Sequence, residues 1–211
     1  MNSTDGLKRL LEEFAIKLTS EPGLKLQNYL SLLEKWNSRI NLTGNATWKA
    51  LEPMFREGIW AATKYPQGSQ AHLDIGSGAG FPAVILRIFN PEMQLELVES
   101  RVKKGAFLET VVWELGLTGT TVHIRRLEDF LEACAEEKIW NYISWKAIKL
   151  AGRDLLDLRR HMDESSHFWI FHGSELAVED ALTLNSEFVC GEKWPVPQQK
   201  ESFLSEYILR K

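Results

Sequence analysis

Apolar residues recur at helical spacing through residues 1–66, then give way to short apolar blocks separated by polar turns. Leu7, Leu10, Leu11, Phe14, Ala15 and Leu18 mark a first helix, with Thr4 or Asp5 as its cap. Pro22 and Gly23 punctuate the chain, and Leu26, Leu30, Leu33 and Trp36 mark a second helix. NLTGNAT (41–47) reads as a turn whose Thr47 caps a third helix reaching about Tyr65, with Pro53 bending or restarting it. PQGSQ (66–70) is a polar joint. The pattern divides the chain into a helical N-terminal extension, 1–66, and a core, 67–211, within one structural domain.

Beyond residue 70 the spacing predicts strands at 71–75, 94–98, 120–124, 139–144 and 167–172, and helices at 80–89, 102–116, 152–162 and 175–184. Strands alternating with helices predict an α/β fold: a parallel sheet covered on both faces. Two strand-like runs around WPVPQQ in 186–210 predict a hairpin added to the sheet edge.

The most specific local feature is HLDIGSGAGFPAVIL (72–86). Gly76, Gly78 and Gly80 fall between the first strand and the helix after it. Glycine permits positive φ and lets another group approach the backbone closely. In open parallel sheets, ligands bind at the carboxyl ends of the strands. Glu99 ends the next strand, 19 residues after Gly80, where a carboxylate can accept hydrogen bonds from both hydroxyls of a ribose. A dinucleotide site asks for G-x-G-x-x-G and a pyrophosphate on a helix N-terminus. Here the third glycine comes one residue early, position 81 is Phe, and Asp74 would repel a pyrophosphate. The G-x-G-x-G spacing with a preceding acid suits S-adenosylmethionine, whose methionine end carries an ammonium and whose sulfur is cationic. The competing reading is a tight strand-to-helix turn with incidental glycines.

Composition narrows the classes. At 211 residues, 44% hydrophobic and 26% charged, the chain can bury a core and is not of disordered composition. No apolar run reaches the roughly 18 residues a membrane span needs, and the amphipathic N-terminus lacks the apolar block of a signal peptide. Cys134 and Cys190 lie far apart without metal-ligand spacing, which points to reduced thiols, a cytoplasmic setting and no metal. A net charge of −4 gives no whole-chain signature of nucleic-acid binding, so RNA contact would come from local basic groups. These are Lys35 and Arg39; Arg101, Lys103 and Lys104; Arg125 and Arg126; and Lys146 and Lys149, each with a solvated face as its competing reading. Trp36 and Trp145 are candidates for stacking on bases.

Three blocks resemble the RsmG (GidB) methyltransferases: LLEKWNSRINLTG (32–44), LDIGSGAGFPAVILRI (73–88) and LVESRVKKGAFLETVVWELGL (97–117), followed by RLED (126–129). The likeness spans roughly residues 5–130. It implies a Rossmann-like S-adenosylmethionine-dependent methyltransferase fold behind a helical N-terminus. It also implies methyl transfer to N7 of a guanine in 16S rRNA of the small ribosomal subunit, by a monomer. The cofactor positions implied are Asp74, Gly76, Ser77, Gly78, Gly80, Phe81, Glu99 and Ser100, with Leu127 and Glu128 bordering the adenine. Arg39, Asn41, Thr43, Lys103, Lys104 and Lys146 would face RNA. Asn41 and Thr43 also read simply as turn residues. Guanine N7 carries a lone pair and no proton, so no residue is needed as acid or base.

The last third departs from that resemblance. Ser144-Trp145-Lys146-Ala147 stands where the family has Ser-Arg-Ala, Phe171-His172-Gly173 where it has Lys-Gly, and 55–62 lacks its His-x-x-Asp-Ser element. Lysine keeps the charge of arginine and loses its bidentate fork. Two alternatives therefore stand beside the family reaction: a paralogous methyltransferase with another acceptor, and a non-catalytic S-adenosylmethionine-binding module.

Overall fold

Asn2, rather than Thr4 or Asp5, caps the first helix. Its side chain accepts the Asp5 N–H at 2.8 Å, and α1 runs Ser3–Glu13. Helix α2, Glu21–Asn37, starts after Ser20 and holds Pro22 in its first turn, where a missing N–H costs nothing. Pro22 and Gly23 thus open this helix instead of preceding it. Helix α3, Trp48–Ala62, follows Thr47 and runs unbroken through Pro53. The computed structural model describes residues 2–173 and 187–210.

Strands and helices then alternate: β1 (Ala71–Ile75), α4 (Ala83–Phe89), β2 (Gln94–Val98), α5 (Val102–Glu114), β3 (Thr120–His123), α6 (Leu127–Glu132), β4 (Tyr142–Lys146), α7 (Gly152–Arg159) and β5 (His167–His172). A hairpin of β6 (Phe188–Pro195) and β7 (Phe203–Leu209) follows. Helix α4 begins three residues later than the pattern predicts, because the turn after β1 extends to Pro82. Helix α6 spans six residues, too few to show a helical period. The helix expected at 175–184 lies outside the described residues.

The sheet order is β3-β2-β1-β4-β5-β7-β6, parallel through β5, with β7 antiparallel to β5 and β6 outermost. The winding reverses between β1 and β4, so their carboxyl ends diverge and open a crevice. Alternation along the strands splits the core in two. Leu95, Leu97, Tyr142, Trp169 and Phe171 join the side chains of α1–α5 on one face. Leu73, Ile75, Ile143, Trp145, Phe168 and Ile170 join α6 and α7 on the other. Trp145 is 1% exposed within that second layer, so it is unavailable to stack on a base.

The residues between these apolar positions on β1 and β4 form a buried polar line. Ser144 donates to Asp74 Oδ1 at 2.6 Å, His72 Nε2 lies 2.8 Å from Ser144 Oγ, and His72 Nδ1 lies 3.0 Å from Tyr65 Oη. With the Ser144 proton committed to Asp74, Nε2 carries the imidazole proton and Nδ1 accepts from Tyr65. Burial pushes the Asp74 carboxyl up to about 7 against the opposing hydrogen bonds of Ser144 and Ser77, and Glu99 adds to the rise. Burial alone pushes His72 down to about 3.

These shifts act on stability with opposite signs. Asp74 binds a proton on folding between its ordinary 3.8 and about 7, so its contribution to stability falls as pH rises through that window. His72 sheds a proton on folding between 6.5 and about 3, so its contribution rises with pH there. The two slopes nearly cancel where they overlap. Asp74→Asn removes only the falling slope. Urea denaturation from pH 4 to 7 should show the stability of the variant gaining on the wild type by about 1.4 kcal/mol per pH unit. Parallel curves for the two proteins would contradict the buried assignment of Asp74.

Candidate functional site

The turn after β1 is built from backbone that side chains would obstruct. Gly76, Gly78 and Gly80 have φ of +66°, +59° and +91°, values that favour glycine. A Cβ at Gly80 would lie 2.6 Å from Val84 Cγ2, and one at Gly76 would lie 3.1 Å from Ile148. At Gly78 no such crowding exists; the nearest atoms are 3.6 and 3.9 Å away, ordinary van der Waals distances, and the positive φ alone favours glycine there.

Neighbouring groups pin this turn. The N–H groups of Gly76 and Ser77 both donate to the Val98 carbonyl, at 2.8 and 3.1 Å. Glu99, one residue past β2 and 6% exposed, accepts the Gly78 N–H at Oε2 and the Arg101 N–H at Oε1, each at 2.8 Å. One carboxylate thus joins the glycine turn to the start of α5. Each oxygen keeps a second lone pair for a ligand. From α2, Tyr29 donates to the Ala79 carbonyl at 2.5 Å. Lys104 reaches from α5 to the Leu42 carbonyl at 3.3 Å, closing the 41–47 turn over the loop.

A cleft of about 450 Å³ lies above these atoms. The glycine turn, Phe81, Glu99, Ser100 and Arg101 form its floor; Leu42, Thr43 and Met54 form one wall; Lys104, Lys146, Ala147 and Ile148 complete it. A second hollow of about 240 Å³ adjoins it at Gly76, Ser100 and Ile148, bounded by Arg125, Arg126, Leu127, Glu128 and Lys149. The larger volume falls in the range of roughly 300–1,000 Å³ typical of small-molecule sites. Its position at the β1/β4 reversal is where such sheets bind ligands.

The structure gathers most of the residues singled out from sequence. Gly76, Ser77, Gly78, Phe81, Glu99 and Ser100 line the main cleft, and Leu127 and Glu128 line the adjoining hollow. Gly80 lies within the turn, packed against Tyr29 and Val84. Asp74 sits beneath the turn, 2% exposed, with its carboxyl turned to Ser144 and absent from the cleft lining. Among the basic and turn residues, Thr43, Lys104 and Lys146 line the cleft. Arg39 and Lys103 are exposed outside it, and Asn41 accepts the Gly44 N–H at 2.6 Å in the adjacent turn. His172 lies away from the cleft, 2.9 Å from Ser205 Oγ and stacked on Phe203. Sequence reasoning missed Met54, and Glu57 one turn further along α3, which forms an ion pair with Lys146. Glu57 lies 89 residues from its partner, and no local pattern links the two.

Solved structures share this architecture at low identity. A crystal structure of MtNAS in complex with MTA and tNA superposes with a TM-score of 0.60 at 12% identity, covering 90% of this chain and 73% of that one. The glycopeptide N-methyltransferase MtfA complexed with S-adenosyl-L-methionine gives 0.58 at 13%, covering 74% and 94%. Sequence relatives carry more weight. The ribosomal RNA small subunit methyltransferase G of Desulfotalea psychrophila is 34% identical over 144 residues, 67% of this chain and 65% of that protein. Its namesake from Helicobacter pylori is 29% identical over 177 residues, 84% and 97%. The one from Chromobacterium violaceum is 33% identical over 159 residues, 75% and 74%. The family model described as rRNA small subunit methyltransferase G matches residues 24–182. With the glycine turn, the pinning glutamate and the cleft between β1 and β4 in place, the chain belongs to the GidB family of small-subunit rRNA methyltransferases.

Proposed function

We propose that this protein transfers a methyl group from S-adenosylmethionine to N7 of a guanine in 16S rRNA, in the small ribosomal subunit. The observation that carries this reading is the two-part cleft meeting at Gly76, Ser100 and Ile148, with one part bounded by Leu127 and Glu128 and the other by Glu99, Lys104 and Lys146.

The residues present fit the cofactor. Glu99 has acceptor capacity left for two ribose hydroxyls beyond its backbone bonds. Gly78 leaves its backbone open to close approach. Leu127 and Glu128 border a hollow for the adenine, and Ser100 stands between the two compartments. When bound, the cofactor supplies an electrophilic methyl group on a cationic sulfur. Asp74 lies under the methionine end; an ionised carboxylate there favours the cation through the turn, without direct contact.

The acceptor side asks little chemistry of the chain. Guanine N7 brings its own electron pair and loses no proton, so the residues provide position and exclusion of water. Phe81, Leu42 and Met54 supply the apolar part of the wall. The ammonium of Lys104 is held at the rim by the Leu42 carbonyl and is suited to an RNA phosphate. Arg39 and Lys103, exposed outside the cleft, would meet RNA further along its path.

Transfer of radiolabelled methyl to small subunits from cells lacking the native guanine-N7 enzyme is the direct test. Label in 16S rRNA of those subunits, and none in subunits already modified, is the expected result. Absence of label, with cofactor binding demonstrated in the same preparation, would move the protein to another acceptor or to a binding-only role. Glu99→Ala should weaken S-adenosylmethionine binding about tenfold or more by calorimetry. It should also lower stability by about 1–3 kcal/mol, because two backbone N–H groups lose their acceptor. Unchanged affinity would remove Glu99 from the ribose site.

A further inference from the structure

Part of the main cleft is formed by Met54 of α3, by Lys146 at the end of β4 and by Ala147 just past it. Behind Met54, three residues on and on the same helical face, lies Glu57. Its side chain is 4% exposed, and Lys146 Nζ donates to its Oε1. That is the one donor its carboxylate has among the described residues, although two oxygens offer about four acceptor positions. A carboxylate with a single donor keeps acceptor positions free for a further donor. Lys146 is in the reverse position: its side chain is 28% exposed, it lines the cleft, and an ammonium has donors to spare. The pair therefore sets a donor in the cleft lining, Lys146, with an acceptor, Glu57, directly behind it.

We propose that Glu57 and Lys146 read the Watson–Crick edge of the target guanine, with Glu57 accepting from N1–H and the 2-amino group and Lys146 donating to O6. This rests on the reading of the protein as a guanine-N7 methyltransferase and specifies how that site selects its base. Guanine offers acceptor, donor and donor along that edge. Adenine offers a donor at N6 against the ammonium and a lone pair at N1 against the carboxylate, so both contacts become repulsive. Enzymes that act on an extruded base commonly read this edge. N1–H and the 2-amino group lie across the purine from N7; O6 neighbours N7, so Lys146 approaches O6 from the N1 side to leave the reacting lone pair free. The pair also carries no net charge, so it sets no uncompensated cation beside a base that becomes positive on methylation.

The test compares methyl transfer to reconstituted subunits carrying guanosine, inosine or adenosine at the modified position. Inosine keeps N7, O6 and N1–H and lacks the 2-amino group. Wild-type protein should show kcat/KM for inosine about tenfold or more below that for guanosine, and no transfer to adenosine. Glu57→Gln should slow transfer to guanosine and bring the guanosine-to-inosine ratio within about twofold, with cofactor affinity unchanged. Glu57→Asp, which keeps the carboxylate, should retain part of the preference and covers the case in which the glutamine variant fails to fold. A role confined to tethering α3 would slow both substrates alike and leave the ratio intact, which overturns the proposal. Equal wild-type rates on guanosine and inosine overturn it as well. No transfer by the wild type to guanosine subunits removes the guanine reading itself, and this inference with it.

Discussion

The site depends on one carboxylate holding a turn whose three glycines all sit at positive φ. Glu99 binds the Gly78 and Arg101 N–H groups with its two oxygens, coupling the glycine turn to the start of α5. The Val98 carbonyl and the Tyr29 hydroxyl pin Gly76, Ser77 and Ala79; Glu99 adds the one bond to Gly78, whose positive φ gives it the freedom glycine brings. With it, Gly76, Ser77 and Gly78 present a fixed backbone surface to the cleft. The reversal of winding at β1 and β4 supplies the crevice. Glu99 determines which atoms line its bottom.

The N-terminal helices are part of that construction. Tyr29 of α2 holds the Ala79 carbonyl, the Leu42 carbonyl receives Lys104, and Glu57 of α3 receives Lys146. Each contact joins one of the first 66 residues to a group at the carboxyl ends of the sheet. The apolar layer under them is continuous, from Leu7 and Leu11 through Tyr29 and Phe55 to Leu97 and Phe107. Buried Arg56 adds a fork to Glu13 and Glu52, fixing α3 against α1. Segment 55–62 thus has a physical explanation in this chain: Arg56 anchors the helix to α1 and Glu57 pairs with Lys146 at the end of β4.

Much of this was legible in the sequence, for identifiable reasons. The glycine turn and the acid at the end of β2 could be read because their spacing is local and each residue type does something few others do. The period of the strands gave the sheet, and the terminal runs gave the edge hairpin. What stayed hidden depends on partners distant in sequence. Asp74 resembles a residue facing a ligand, yet its register opposite Ser144 turns its carboxyl into the interior. Trp145 resembles a stacking residue, and strand alternation buries it. Lys146 resembles a free phosphate contact, and α3 supplies it with a carboxylate. Asn2 displaced Thr4 and Asp5 as the cap, because a cap depends on which side chain reaches a free N–H and not on residue type alone.

The arrangement of charge also reconciles an acidic protein with an RNA substrate. Net charge is −4, but the acids at the site lie low: Asp74, Glu57 and Glu99 are 2%, 3% and 6% exposed. The bases stand at the rim, with Lys104 and Lys146 on the main cleft and Arg125, Arg126 and Lys149 on the adjoining hollow. In the main cleft a ligand therefore meets the lysines before Glu99, while the exposed Glu128 borders the adjoining hollow. That order suits a polyanion whose phosphates stop at the surface while a neutral base and a cationic cofactor lie beneath. At physiological salt, screening over about 8 Å hides the distant acids on the outer helices from an approaching phosphate. The rim cations act at closer range, so the local layering, and not the whole-chain charge, decides what the cleft attracts.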